Sequence, residues 1–521
     1  MKRRLSLAAL IGFITFGLAH AATSPPVVKQ WDRFEIAIEN RRTYGDPYRD
    51  VSLDAAFTAP DGRRQTFWGF YDGGTTWRLR FMPDLVGTWR YVATFSDGAR
   101  GAEGTFECTR SDRPGMLTVH ATNPMWFGFN GGDAALIRGL HIGDRFFARN
   151  WDDAVDPRDG GKRAAFLDWA QRQGYNLLSI ASHYLNRTSS GRGAGWDTPR
   201  LWPLDPAEYR RMEIILDELA RRGVMVFPFA GFFGRDASFP REPADQDVYL
   251  RYTYARLGAY WNVLLNVAGP EPLLRGRPFY TLPELARVGG ELQRLNVFRH
   301  PVSVHNRTGA DEYRDEPWTT FGTLQGPKTL DRVRLSRGLL ASHHPEKPLL
   351  AQETLWSGNV NHIRANQRDY SDDELRKNTF VIHFSAAALV FADNNGDSST
   401  GFSGTLDSKD CRQDRHDVIK RAWDVCATLP FGRLRPRHDL LIGEHAFCLA
   451  DPGKYYAVYL DRSAPVSVQL DEAAVAARRG FSMTWIDARS GRRQGAGTTH
   501  DGQNLTPPSG GDDWVLVLES P

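Results

Sequence analysis

Two glutamates each follow an apolar strand-like run; a lone glutamate there is more often a salt-bridge partner or a loop residue, but two of them in a barrel-like pattern could do chemistry. Glu353 ends the apolar run of "KPLLAQE", three residues before Trp356, and Glu271 follows "YWNVLLNV" after the short turn Ala268-Gly269-Pro270. Cleavage of a glycosidic bond uses two carboxyl groups flanking one acetal, one holding a proton and one ionised. In that chemistry Glu271 is expected as the acid/base and Glu353 as the nucleophile. Carboxyl groups about 5–5.5 Å apart would give retention, and a gap of about 6.5–9.5 Å would give inversion. No cofactor is needed, because the pair supplies both the proton and the nucleophile.

The elements that must position these groups occupy residues 115–436, where apolar strand-like runs alternate with helical patterns. The runs are "ALIRGLHIGD" (135–144), "GYNLLSIASHY" (174–184), "VMVFPFAGFFG" (224–234), "YWNVLLNV" (260–267), "PVSVHN" (301–306), "WTTFGTLQ" (318–325), "PLLAQE" (348–353) and "ALVFADN" (388–394). Near-continuous apolar strands separated by helices predict a parallel sheet covered by helices. Eight of them over roughly 300 residues predict a central (β/α)8 TIM barrel. A doubly wound open sheet is the alternative, but no Gly-rich phosphate loop follows the first strand. One helix is legible in detail over 204–223: Asp205 as cap, Pro206 in the first turn, Glu208 three residues after the cap, Met212, Ile215, Leu216 and Leu219 on one face, and Gly223 at the end.

In a TIM barrel the C-terminal strand ends face the active site. Those ends present His141 and Asp144, His183-Tyr184, Phe232-Phe233, Asn266, His305-Asn306, Gln325, Gln352-Glu353 and Asp393-Asn394-Asn395. Strands four and seven lie across the mouth from one another, which pairs Glu271 with Glu353. Asn266, His305 and Gln325 are candidates to bind hydroxyls or tune the carboxylates. Trp151, Tyr184 and Trp356 are candidates to stack on sugar faces, and His141, His183 and Asp393 complete the substrate-binding set. The histidines lack the close spacing of a metal set, so no metal is expected. Asp393 and Asp397 match a calcium loop by composition only and are read as a polar turn at the rim. No Gly-x-Ser-x-Gly elbow is present, which argues against an esterase.

On either side the pattern is β. Residues 27–112 carry alternating runs with turns at Asp61-Gly62, Asp72-Gly73 and Asp97-Gly98, and predict an N-terminal immunoglobulin-like β-sandwich. Residues 437–521, with turns at Asp451-Pro452-Gly453 and Ser490-Gly491, predict a small C-terminal β-sandwich. Residues 1–21 read as a secretory signal peptide: Lys2, Arg3 and Arg4, an apolar stretch too short to span a bilayer, then Ala19-His20-Ala21. Arg3-Arg4 raises the twin-arginine route, but their surroundings favour ordinary secretion. An exported protein, periplasmic or extracellular and without a membrane span, is expected.

The formal charge is +3 over 521 residues, and removing the three basic residues of the leader brings it to zero (+3 − 3). With no dense basic run, nucleic acid is not an expected partner. A poly- or oligosaccharide is. The 15 tryptophans suit sugar rings as well as cores. Export permits disulfides, and among Cys108, Cys411, Cys426 and Cys448 the pair nearest in sequence is Cys411–Cys426. Pairing and oligomeric state stay open.

The pieces Phe-Tyr-Asp-Gly (70–73), Arg-Phe-x-Pro (80–83) and Gly-x-Trp-x-Tyr (87–91) resemble an immunoglobulin-like domain of unknown function found ahead of glycoside hydrolase barrels. "GYNLLSI", "DPAEYRRMEIILDELARRGVMV" and "KPLLAQET" resemble apiosidase-like, clan A-type glycosidase barrels. "FCLADPGKYYAVYL", "TWIDARSG" and "PPSGGDDWVLVL" resemble the collagen-binding-like domain that closes such chains. The resemblance implies a glycosidase without fixing its sugar, and with the leader the expectation is a secreted glycoside hydrolase. It also implies an Asn-Glu pair ending strand four, where this chain separates Asn266 from Glu271 by Val-Ala-Gly-Pro. A carbohydrate-binding protein that has lost catalysis on the same scaffold is the alternative.

Overall fold

A computed structural model describes residues 25–130, 132–142, 144–180, 197–228, 232–233, 239–269, 271–273, 280–307, 309–357, 370–393, 413–443, 445–470 and 480–520. The leader, His183, Tyr184, Asn394, Asn395, Asp397 and Cys411 lie outside the described residues.

The centre is a closed parallel barrel of strands β1 (Arg138–Ile142), β2 (Leu177–Ile180), β3 (Met225–Phe227), β4 (Leu265–Asn266), β5 (Val302–Ser303), β6 (Gly322–Leu324), β7 (Leu349–Ala351) and β8 (Ala387–Asp393). Seven fall inside the apolar runs, and β8 begins one residue before the eighth. Ladders join β1 to β2 and β8, β2 to β3, β4 to β5, β6 to β7, and β7 to β8. Bridges Val226–Val263 and Phe233–Val267 link β3 to β4. Thr320 N donates to Val302 O at 2.8 Å, which joins β5 to the run entering β6. The strands β2, β3 and β7 are buried along their whole length, as a sheet covered on both faces requires.

Helices α1 (Gly161–Arg172), α2 (Pro206–Arg221), α3 (Pro243–Leu257), α4 (Leu282–Leu295), α5 (Arg332–Ala341), α6 (Asp372–Phe384) and α7 (Gln413–Ala427) cover the barrel. On α2 the Asp205 carboxylate accepts from Ala207 N, Pro206 is the first residue, and Met212, Ile215, Leu216 and Leu219 are buried. Gly223 takes φ 76°, the left-handed geometry that stops the helix. Glu208 does not fold back onto the cap; its Oε2 accepts from Arg200 N at 2.6 Å. Among the described residues no helix separates β5 from β6. The carbonyls of that crossover need donors, and Lys347 Nζ supplies them to Arg314 O and Glu316 O at 2.8 and 2.7 Å.

The N-terminal domain pairs two sheets, one ordered Val27–Lys29, Ala102–Thr109, Gly87–Phe95, Leu53–Thr58, Arg64–Trp68 and the other Phe34–Glu39, Thr76–Phe81, Phe70–Tyr71. Between them Phe57 stacks on Phe81 (3.8 Å) and Phe34 on Phe106 (4.0 Å). The C-terminal sandwich sets a six-stranded sheet against a three-stranded one, around Tyr456, Val458, Trp485 and Leu516.

Both β domains are ion-paired to the barrel. Arg80 of the first sandwich forks onto Glu213 of α2 (2.8 and 3.0 Å), and Arg256 of α3 forks onto the same carboxylate (2.6 and 2.9 Å) while reaching Asp72 at 2.9 Å. All four are buried. At the other end Arg376 of α6 forks onto Asp513 (3.0 and 2.9 Å), and Phe380 stacks on Tyr459 at 4.6 Å. Cys108, Cys426 and Cys448 are buried free thiols, so the Cys411–Cys426 pairing gains no support. No helix among the described residues is long and apolar enough to cross a membrane.

Candidate active site

The end of β7 delivers two polar side chains in succession, and strand alternation sends them to different places. Gln352 turns into the barrel interior, where its Nε2 donates to Ser179 Oγ of β2 at 2.5 Å and to His141 Nδ1 of β1 at 3.0 Å. Glu353, one residue further, stands at the mouth with no solvent exposure.

Three side chains from the ends of two strands converge on its carboxylate. Gln325, just past β6, donates Nε2 to Oε2. Lys328, three residues on, places Nζ 3.6 Å from the same oxygen. His305, just past β5, brings Nε2 to 3.4 Å from Oε1, longer than a good hydrogen bond. Among the described residues Oε1 finds no hydrogen-bond donor of good geometry. Burial alone would raise the pKa of this acid. The His305 contact and the charges of Lys328, His305 and His141 outweigh it and bring Glu353 from the ordinary 4.5 down to about 2.

Trp356 closes one side of the cluster. Its buried ring sits 5.7 Å from the His141 ring and carries the Lys328 ammonium 5.2 Å from its centroid. The strand-end glutamate and the tryptophan therefore share one cation, Lys328.

Glu271 enters from the loop after β4. Its backbone N donates to His305 O at 3.1 Å, so it is one residue-width from the histidine that touches Glu353. The loop is strained: Ala268 has φ 55° and Glu271 φ 47°, a region non-glycine residues occupy at a cost. The half-buried Glu271 carboxylate is close enough to Tyr313 to act on its phenol, which burial, then Glu312 and Glu271, push up.

The remaining candidates divide. Asn266 is buried at the end of β4 and donates Nδ2 to Pro228 O at 3.3 Å. Asp393 is tied to α7, with His416 Nε2 at 3.1 Å and Arg415 Nη1 at 3.5 Å, so its described contacts brace β8 against that helix. Trp151 packs on Phe146 and under Arg163, 8% exposed, in contacts that belong to the β1–α1 loop and not to the Glu353 cluster. Among the described residues no group of three or more His, Cys, Asp or Glu could hold a metal ion. Lys328 is the residue that sequence reasoning missed, and Gln352 was placed at a strand end but given no role. Gln352 had a signal, its strand-end position. Lys328 had only its place directly after the Gly326-Pro327 turn that follows Gln325.

An eight-stranded parallel barrel with β domains on both sides is a fold found in solved structures named as glycoside hydrolases. The whole three-domain arrangement is shared with a crystal structure described as a "putative glycoside hydrolase" from Bacteroides vulgatus ATCC 8482, at TM-score 0.71 and 19% identity over 95% of this chain and 100% of that one. A glycoside hydrolase family 5 protein from the same organism aligns at TM-score 0.58 and 16% identity, over 78% of this chain and 94% of its own. A third structure, named a glycoside hydrolase, aligns at TM-score 0.56 and 16% identity, over 78% and 97%. Residues 27–96 match a domain of unknown function, DUF5060, and residues 443–519 match the family described as "Putative collagen-binding domain of a collagenase". No curated protein sequence matches the chain.

Proposed function

We propose that this chain is an exported glycoside hydrolase that cleaves a poly- or oligosaccharide with retention of configuration. Glu353 serves as nucleophile and Glu271 as acid/base. The observation that carries the reading is the Glu353 carboxylate: buried at the end of β7, favoured as an anion by Lys328 and His305, and joined through His305 to the backbone of Glu271. In the first step Glu353 forms a bond to the anomeric carbon as the glycosidic bond breaks, and Glu271 protonates the departing oxygen. In the second step water attacks that carbon, gives its proton to Glu271, and the glutamyl ester opens.

The test is hydrolysis of a glycan found by screening, with Glu353→Gln and Glu271→Gln beside the wild type. Both substitutions keep shape and remove charge. Each should lower turnover by several orders of magnitude, and full activity in either removes that residue from the mechanism. Collagen is not assigned as a ligand: the C-terminal sandwich is held to α6 by Arg376–Asp513, and packing is its proposed role. Export is tested by the mass of the mature N-terminus.

A second reading, a carbohydrate-binding protein without catalysis, is favoured by two specific observations. Glu271 stands five residues beyond Asn266 on a strained loop, with its carboxylate acting on Tyr313. Glu353 is wholly buried. Retention of a glycan with no released reducing ends would favour this reading.

A further inference from the structure

Lys328 is not one of the two carboxylates, yet its ammonium is paired with Glu353. Its side chain is 6% exposed, its Nζ lies 3.6 Å from Oε2, and the Trp356 ring lies on its other side at 5.2 Å. Burying an ammonium between a carboxylate and an indole is costly unless the carboxylate stays charged. The arrangement is also one-sided. Gln325 and Lys328 both hold Oε2, while among the described residues Oε1 has the long His305 contact alone.

Resting on the glycosidase reading above, we propose that Lys328 is a positioning residue that pins Oε2, presents Oε1 to the anomeric carbon, and makes the Glu353 carboxylate a good leaving group in the second displacement. In the first step Oε1 bonds to the anomeric carbon and the carboxylate loses its charge, which strands the ammonium beside a neutral ester. In the second step the C–Oε1 bond breaks, its electron pair returns to Glu353, and the ion pair with Lys328 re-forms. The cation therefore favours breakdown of the ester over its accumulation. The depressed pKa of Glu353 is consistent with this pairing. The groups facing that carboxylate are Gln325 and Lys328 from β6 and its loop, His305 from β5, and His141 from β1. Glu271 reaches the cluster through the His305 backbone, and Asp393 is paired separately with Arg415 and His416.

The test has one arm that needs no substrate. The full-length protein is labelled with 13C at the glutamate carboxyl carbon, and the Glu353 resonance is assigned by its loss in Glu353→Gln. Wild type should titrate near pH 2, Lys328→Met should titrate at least about one unit higher, and Lys328→Arg should stay near wild type. A folded Lys328→Met with an unmoved titration overturns the inference, whatever the fate of the catalytic reading. The kinetic arm uses a 4-nitrophenyl glycoside that the wild type hydrolyses. Lys328→Met should show a burst of nitrophenol, with kcat and KM both falling about tenfold or more, and Lys328→Arg should restore steady turnover. Equal loss in kcat and kcat/KM, without a burst, overturns it. Full activity in Glu353→Gln would instead sink the glycosidase reading.

Discussion

Glu213 offers the sharpest test of how the N-terminal sandwich is fastened to the barrel. It lies on α2 beside Met212, 5% exposed, and takes four charge-assisted hydrogen bonds from two forked guanidiniums. Glu213→Gln leaves Arg80 with Glu35 and Arg256 with Asp72, each still holding one carboxylate. Breaking a buried pair in this way costs about 3–5 kcal/mol, because the remaining charges stay buried. The ionisation gives a second route to the magnitude. Burial would raise this acid; Arg80 and Arg256 outweigh it and lower Glu213 from 4.5 to about 2. A shift of this size corresponds to about 3 kcal/mol at about 1.4 kcal/mol per unit. For an acid whose folded pKa is depressed, that stability is present above about 4.5 and is lost as pH falls through about 2. At pH 7, urea unfolding followed by tryptophan fluorescence should show Glu213→Gln less stable by about 3–5 kcal/mol. At about 2 °C per kcal/mol for a large domain, the melting transition should fall by about 6–10 °C. A variant within about 0.5 kcal/mol of wild type at pH 7 would refute the claim that this carboxylate fastens the two domains.

Asp513→Asn should weaken the other domain contact, since Asp513 is buried and takes both a forked Arg376 and the Tyr459 hydroxyl at 3.0 Å. The expected loss is about 2–4 kcal/mol, read as faster limited proteolysis at the barrel–sandwich junction, with unchanged cleavage as the opposing result. Gly289→Ala on α4 should destabilise by about 1–3 kcal/mol, because a Cβ there would sit 2.3 Å from the Trp318 ring. An unchanged melting temperature would show that the Trp318 indole shifts freely.

The barrel was legible because its signal is local. Eight apolar runs, all but the third with a polar residue at or near the end, give the strand count and the location of the mouth at once. The turn dipeptides were equally local: Gly62, Gly73 and Gly98 all have left-handed φ. What the sequence concealed depends on partners far along the chain. Glu213 sits on the apolar face of α2, where a carboxylate has no local reason to be; its partner Arg80 is 133 residues away. Lys328 is 25 positions from Glu353, and only closure of β6 against β7 brings them together. Glu208 matched the spacing of a capping box, but Arg200 N competes for its carboxylate and wins. The absent helix between β5 and β6 left no trace in the apolar runs, which report strands and not what joins them.

Trapping the reaction intermediate tests the central claim most directly. A 2-deoxy-2-fluoroglycosyl fluoride of the sugar that the protein releases should glycosylate it once with loss of fluoride, and peptide mass spectrometry should place the fluorosugar ester on Glu353. An ester on any other residue, or no ester together with an inverted product anomer, would contradict the account.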